Sequence, residues 1–254
     1  MYDRLRQGVN RRLVQFLAPS GHGADGVSLG SGARVLEAGS GTAYASSVFA
    51  TRPDVCRAVC LDRDIDALRE ARRRDPSLPA VVGDIMRMPF ADGSFSLVFN
   101  SSTVEHLDKP PAAVREMARV CAPGGRVFVG VPYRFGPLWF QPLISSTAAG
   151  IWLGPVFTRF TLDRLLHAAG LMPVAHVRYF LRCFIGAIAM TPTRRTVPRG
   201  NATTNTSGGP TPPATCGSAV IAERAAACAA DTARAAHAVA AGAHAITSLG
   251  GHPC

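Results

Sequence analysis

Hydrophobic positions first recur at helical spacing. Leu5, Val9, Leu13, Phe16 and Leu17 fall on one face of a helix near the start of the chain. A stretch rich in Gly and Ser, 19–32, follows and reads as a loop. Beyond it, short apolar runs at 34–38, 57–61, 80–82, 96–100, 126–131 and 172–180 alternate with stretches of helical pattern near 42–50, 65–73, 111–121 and 160–169. Strands separated by helices need crossover connections. The pattern therefore predicts an α/β fold built on a mainly parallel sheet with helices on both faces.

The texture changes at Thr191. Residues 191–218 are rich in Pro, Thr, Gly and Asn and read as a disordered linker. Residues 219–245 hold fifteen alanines and read as a helix by propensity, with too little apolar surface to dock firmly. Three regions are expected: an N-terminal helix and loop at 1–32, a folded domain at 33–190, and a linker with an Ala-rich tail at 191–254.

Composition narrows the function classes. The 254 residues are 47% hydrophobic and 17% charged, enough to bury a core and too apolar for a wholly disordered or fibrous chain. The formal net charge is +10, carried almost wholly by arginine, since Lys109 is the sole lysine. These arginines are scattered and aromatics make up only 7%, so no specific nucleic-acid partner is expected. The seven cysteines are dispersed, without a CxxC pair, as in a reducing compartment. The first residues lack the apolar run of a secretory signal. A cytoplasmic protein is expected, with contact to a membrane surface as its one association with lipid.

The chemistry concentrates in 35–43, Val-Leu-Glu-Ala-Gly-Ser-Gly-Thr-Ala. A strand runs into a glycine turn and then a helix. Glycines let backbone approach a ligand closely, and the helix start offers free N–H groups. Glu37 lies just before the first glycine. A carboxylate there would repel a pyrophosphate and suits a ligand with cationic groups. The third glycine of the dinucleotide pattern is also missing, since position 44 is Tyr44. Asp62 ends the second strand, 23 residues after Gly39, where a carboxylate can accept both hydroxyls of a ribose. Asp64 reads as the cap of the following helix. Asp84 and Ile85 follow the third strand, where an acid can accept an adenine amino group and an apolar side chain can pack on the ring. Asn100 ends the fourth strand. Each element falls at the carboxyl end of a strand, where open α/β sheets bind ligands.

With those residues in view, 33–180 resembles the class I S-adenosylmethionine-dependent methyltransferases, most of all the branch with a methyltransferase type 11-like domain that acts on quinones, sterols and natural products. The resemblance implies a Rossmann-like, doubly wound, mainly parallel seven-stranded sheet. It implies S-adenosyl-L-methionine as cofactor, held by Glu37, Gly39, Ser40, Gly41, Asp62, Arg63, Asp84, Ile85 and Asn100. In such a site the glycine turn cradles the amino-acid end, Glu37 lies near the methionine part and Asp62 takes the ribose. Arg63 lies over the adenine, Asp84 and Ile85 take that base, and Asn100 lies beside the sulfonium. Ala43 replaces the third glycine of the family pattern, and Ser96 stands where an aspartate is common. The activity implied is transfer of a methyl group to a small acceptor, by O- or C-methylation. Three rivals are a protein that binds the cofactor without turnover, a nicotinamide-dependent oxidoreductase, and an RNA methyltransferase, against which the lack of a basic, aromatic-interleaved module counts.

No catalytic side chain is assigned. His106 has the pKa of a base, but Glu105-His106 is read as capping and packing a short helix. Residues 135–158 contain no charge. Their prolines and glycines argue against a spanning helix. Trp139, Phe140, Leu143, Ile144, Ile151 and Trp152 point instead to a lipophilic acceptor, and the segment reads as a substrate lid or an interfacial patch. The tail histidines have no matching ligand set, so no metal is expected.

Overall fold

The computed structural model describes residues 2–19, 29–137 and 155–193. The chain divides into two compact units, Met1–Arg195 and Thr196–Cys254. The second unit lies outside the described residues, as do the linker and Ala-rich tail read from sequence beyond residue 193. So do most of the 19–32 loop and Trp139, Phe140, Leu143, Ile144, Ile151 and Trp152 of the uncharged segment.

In chain order the elements are α1 (Tyr2–Leu17), β1 (Ala33–Ala38), α2 (Tyr44–Ala50), β2 (Val55–Asp62), α3 (Ile65–Arg74), β3 (Ala80–Val82), β4 (Phe95–Ser101), α4 (Pro110–Val120), β5 (Cys121–Pro132), α5 (Arg159–His167), β6 (Met172–Tyr179) and β7 (Phe184–Met190). A 3-10 turn, Val104–His106, lies between β4 and α4. One seven-stranded sheet has the order β3-β2-β1-β4-β5-β7-β6. Strands β1 to β5 pair in parallel, and β7 runs antiparallel between β5 and β6.

The core divides by the two-residue period of the strands. Leu36, Ala38, Val59, Leu61, Val98, Val127 and Val129 pack with Val114 and Met117 of α4 and Leu162 and Leu166 of α5. Val35, Ala58, Cys60, Leu97, Phe99 and Phe128 face the other way, onto Leu13 and Leu17 of α1, Phe49 of α2 and Leu68 of α3. Both faces are dry, which is why these strands read as continuous apolar runs. Burying one such Leu or Phe stabilises by about 1.5–3 kcal/mol.

Two features depart from the sequence reading. The seventh strand that the resemblance implies is β7, for which no apolar run was assigned in the sequence. Its Gly186 lies against the Phe128 ring, where a Cβ would clash. Thr191, read as the first linker residue, is buried at 6% exposure. Its Oγ1 donates to the Ala122 carbonyl at 2.6 Å, and its N–H donates to the Gly125 carbonyl at 3.0 Å. The folded domain therefore runs past residue 190.

The topology sets where a ligand can sit. From β1 the chain winds outward through β2 and β3, then returns to place β4 on the other side of β1. This switch point opens a crevice at the carboxyl ends of β1 and β4.

Candidate cofactor site

β1 delivers Glu37 to the α2 side of the sheet, one residue before its end. Glu37 is 7% exposed. Its Oε2 accepts from the Ser46 N–H at 2.9 Å and from the Ser46 hydroxyl at 2.6 Å. Burial pushes its pKa up to about 7 against those two bonds; nearby Asp62 adds to the rise and Arg74 opposes it. Sequence reading found Glu37 but not Ser46, although a residue in the first turn of α2 was placed to meet it.

The turn that follows needs left-handed backbone at three places. Gly39 has φ 74°, Gly41 φ 50° and Ala43 φ 52°. At Gly39 a Cβ would lie 2.6 Å from the Thr103 methyl, so only hydrogen fits. Thr103 Oγ1 in turn donates to the Gly39 carbonyl at 2.9 Å. At Gly41 a Cβ would meet nothing within 4 Å, so the turn has open space above it. Ala43 takes the strained conformation with a side chain, fully buried.

β2 delivers Asp62 to the same turn. Its Oδ2 accepts from the Gly41 N–H at 2.6 Å and its Oδ1 from the Asp64 N–H at 2.9 Å. Leu61, one residue earlier, offers its carbonyl to the N–H groups of Gly39 at 2.7 Å and Ser40 at 3.0 Å. A carboxylate oxygen accepts more than one hydrogen bond, so Asp62 keeps capacity for a ligand hydroxyl. Asp64 caps α3, accepting from Asp66 and Ala67. Arg63 is exposed beside them.

The third arm arrives through Gly83, whose N–H donates to the Asp62 carbonyl at 3.0 Å. Asp84 is exposed, with Oδ1 accepting from the Met86 N–H at 2.8 Å, and Ile85 is buried at 6% exposure. Arg119 of α4 pins this loop. Its guanidinium donates to the carbonyls of Phe90 at 2.9 Å and Met88 at 3.2 Å, and pairs with Asp92 at 2.6 Å and Glu116 at 2.7 Å.

Asn100 joins the ends of β1 and β4 beneath the crevice. It is fully buried, donates to the Ala38 carbonyl, and accepts from the Val104 N–H at 3.3 Å. Its amide ties the end of β1 to the turn after β4. That turn also holds Ser102 at φ 63° and a buried Glu105, whose Oε1 accepts from the Ser102 hydroxyl at 2.7 Å. Burial pushes Glu105 up to about 7. His106 Nε2 lies 3.8 Å from Glu105, and partial burial lowers its pKa.

The site thus gathers two carboxylates, an open glycine turn and a helix start around one crevice. The buried Thr42 hydroxyl, in the turn itself, has no hydrogen-bond partner among the described residues. A ligand with cationic groups and a diol fits this donor set; a pyrophosphate would meet Glu37 and Asp62 together.

Residues 36–129 match the model of a family described as a methyltransferase domain. A demethylmenaquinone methyltransferase of Renibacterium salmoninarum is 37% identical over 128 residues, which cover 50% of this chain and 50% of the relative. A malonyl-[acyl-carrier protein] O-methyltransferase of Halorhodospira halophila is 36% identical over 118 residues, 45% of this chain and 39% of the relative. The chain spans about half or less of the length of these curated relatives. Among solved structures, an S-adenosylmethionine-dependent methyltransferase of Thermotoga maritima superposes with a TM-score of 0.59 at 18% identity, covering 74% of this chain and 90% of that one. The 1,6-didemethyltoxoflavin-N1-methyltransferase of Burkholderia thailandensis, bound to S-adenosylhomocysteine, gives 0.54 at 18%, covering 73% and 79%. At such identities the likeness is one of fold, a doubly wound, mainly parallel sheet.

Proposed function

We propose that this chain transfers the methyl group of S-adenosylmethionine to a small, lipophilic acceptor, by O- or C-methylation. The observation that carries the reading is the glycine turn held between Glu37 and Asp62, inside a stretch that matches the methyltransferase family. When bound, the cofactor would supply an electrophilic methyl on a sulfonium, with S-adenosylhomocysteine as the leaving group as the acceptor bonds to the methyl carbon.

The chain's own residues bind and orient. Glu37 faces the amino-acid end with a carboxylate, and the Gly39–Gly41 backbone lets that end approach closely. Asp62 accepts the ribose hydroxyls while still holding the Gly41 N–H, so cofactor and turn are fixed by one side chain. Asp84 and Ile85 border the base, and Arg63 lies over it. Asn100 acts by fixing β1 to β4. Positioning two reactants in attack geometry can supply about 7–11 kcal/mol of a barrier, so a dedicated base is needed only for a protonated nucleophile.

The acceptor class is drawn from the relatives and from the uncharged 135–158 segment. A demethylated naphthoquinol is the first acceptor to assay. Release of S-adenosylhomocysteine that depends on acceptor and falls in Asp62→Ala at limiting cofactor supports the reading. Tight cofactor binding with no release across quinols, phenols and acyl carriers would replace it with a non-catalytic binding protein.

A further inference from the structure

A second surface lies at the same end of the sheet and takes no part in the cofactor site. It is formed where β5 ends, β6 turns into β7, and α5 begins. The Tyr133 N–H donates to the Cys183 carbonyl at 2.8 Å, and Tyr133 bridges to Phe157. Phe135 packs its ring 5.7 Å from Tyr133, and the Arg178 guanidinium covers the Tyr133 ring at 5.4 Å. Three large apolar side chains project from this surface: Phe135 at 70% exposure, Phe160 at 69% and Leu181 at 79%.

The β6–β7 turn is the most unusual part. Phe180, Leu181 and Arg182 have φ of 49°, 53° and 65°, three consecutive left-handed residues without a glycine. Each such residue costs about 1–2 kcal/mol, and hairpin turns ordinarily use Gly, Asn or Asp here. The sequence accepts that strain and places a leucine at the tip in water. Strain held at a surface tip is a mark of function.

Charge completes the pattern. The segments 131–137 and 155–184 contain five arginines and one acid, Asp163. That acid is engaged by His176 at 2.6 Å. Arg134, Arg178 and Arg182 are exposed and flank the apolar tips.

We propose that this surface docks the protein on an anionic lipid bilayer, with Leu181 and Phe135 entering the interface and the arginines meeting lipid headgroups. Apolar tips ringed by arginine fit such a surface, because each basic group near it adds attraction and each apolar side chain adds burial. The proposal stands apart from methyl transfer, since it is read on vesicle binding by the full chain without cofactor.

The test is sedimentation with phosphatidylcholine vesicles, with and without phosphatidylglycerol. Binding is expected only with phosphatidylglycerol. Arg178→Gln with Arg182→Gln should weaken it roughly thirtyfold, about fivefold per arginine. Arg72→Gln with Arg73→Gln, on α3, removes the same charge and should change it little. Leu181→Asn should weaken binding about tenfold or more, from the lost apolar burial. The same variant should melt higher, because Asn tolerates the left-handed conformation. Equal loss in the α3 variant would reduce the effect to net charge and overturn the surface. So would Leu181→Asn and Phe135→Ser variants that melt lower yet bind vesicles as the native chain does, since the patch would then be packing covered by 138–154.

Discussion

Glu37 should make cofactor affinity depend on pH across the neutral range. Its carboxyl is buried and pushed up to about 7, with Asp62 adding to the rise and Arg74 and the two Ser46 bonds opposing it. Below that value the group is neutral and cannot pair with the cofactor's ammonium, which is itself cationic below about pH 8. Binding to the ionised form must therefore release a proton from Glu37. For a group titrating at about 7, the ionised fraction rises from about 1% at pH 5 to about half at pH 7. Affinity should rise roughly fiftyfold over that interval, about 2.3 kcal/mol. Calorimetry in buffers of different ionisation enthalpy reads this directly. At pH 6 about 0.9 proton should be released per cofactor bound, and at pH 7 about half of one. Glu37→Gln should bind more weakly at pH 7 and lose the dependence. A flat affinity between pH 5 and 7 with no proton release, or a Glu37→Gln variant that titrates like the native protein, would refute the pairing.

Other consequences follow from the same geometry. Asp62→Ala should weaken cofactor binding by about 1.5–3 kcal/mol, the range for hydrogen bonds to a charged group, read as a dissociation constant on the folded variant. Gly41→Ala should cost about 1–2 kcal/mol of stability from its positive φ alone. Gly39→Ala should cost more, because Thr103 must also move; equal melting of the two variants would contradict the close approach. Glu37 and Glu105 both have folded pKa values raised to about 7, so each stabilises most below the unfolded carboxyl value and loses that contribution as pH rises through 7. The cofactor-free protein should be more stable at pH 5 than at pH 8, by about 3 kcal/mol per group, and Glu105→Gln should flatten the denaturant midpoint profile. Truncation after Arg195 should keep a cooperative melt, whereas truncation before Thr191 should not, because Thr191 closes the turn at Gly125.

Much of the fold was legible because the sheet is buried on both faces. Apolar runs such as Val35-Leu36 and Leu97-Val98-Phe99 can be little else when helices separate them. β7 escaped because Gly186, Ala187 and Ala189 make it look like a small-residue helix or loop. Its strand state is dictated by Phe128 and the β5 edge, both distant in sequence. The acids of the site could be placed from strand ends alone, since Glu37 and Asp62 sit where a parallel sheet opens. What they touch could not. Ser46, Thr103 and Arg74 reach the turn from α2, the post-β4 turn and α3, and nothing in local spacing announces them. The same holds for Asn100: its strand-end position was legible, but its bonds to Ala38 and Val104 were not. Thr191 was misplaced because composition changes there, whereas the hydrogen bonds that hold it come from the first residues of β5.

The most direct measurement of methyl transfer is mass spectrometry of a demethylated naphthoquinol incubated with the protein and cofactor carrying a deuterated methyl group. The account predicts an acceptor product in which one deuterated methyl replaces a hydrogen, formed together with S-adenosylhomocysteine and reduced about tenfold or more with Asp62→Ala at limiting cofactor. Unlabelled acceptor recovered intact from this and from a lipid extract, with the cofactor bound and unconsumed, would contradict it.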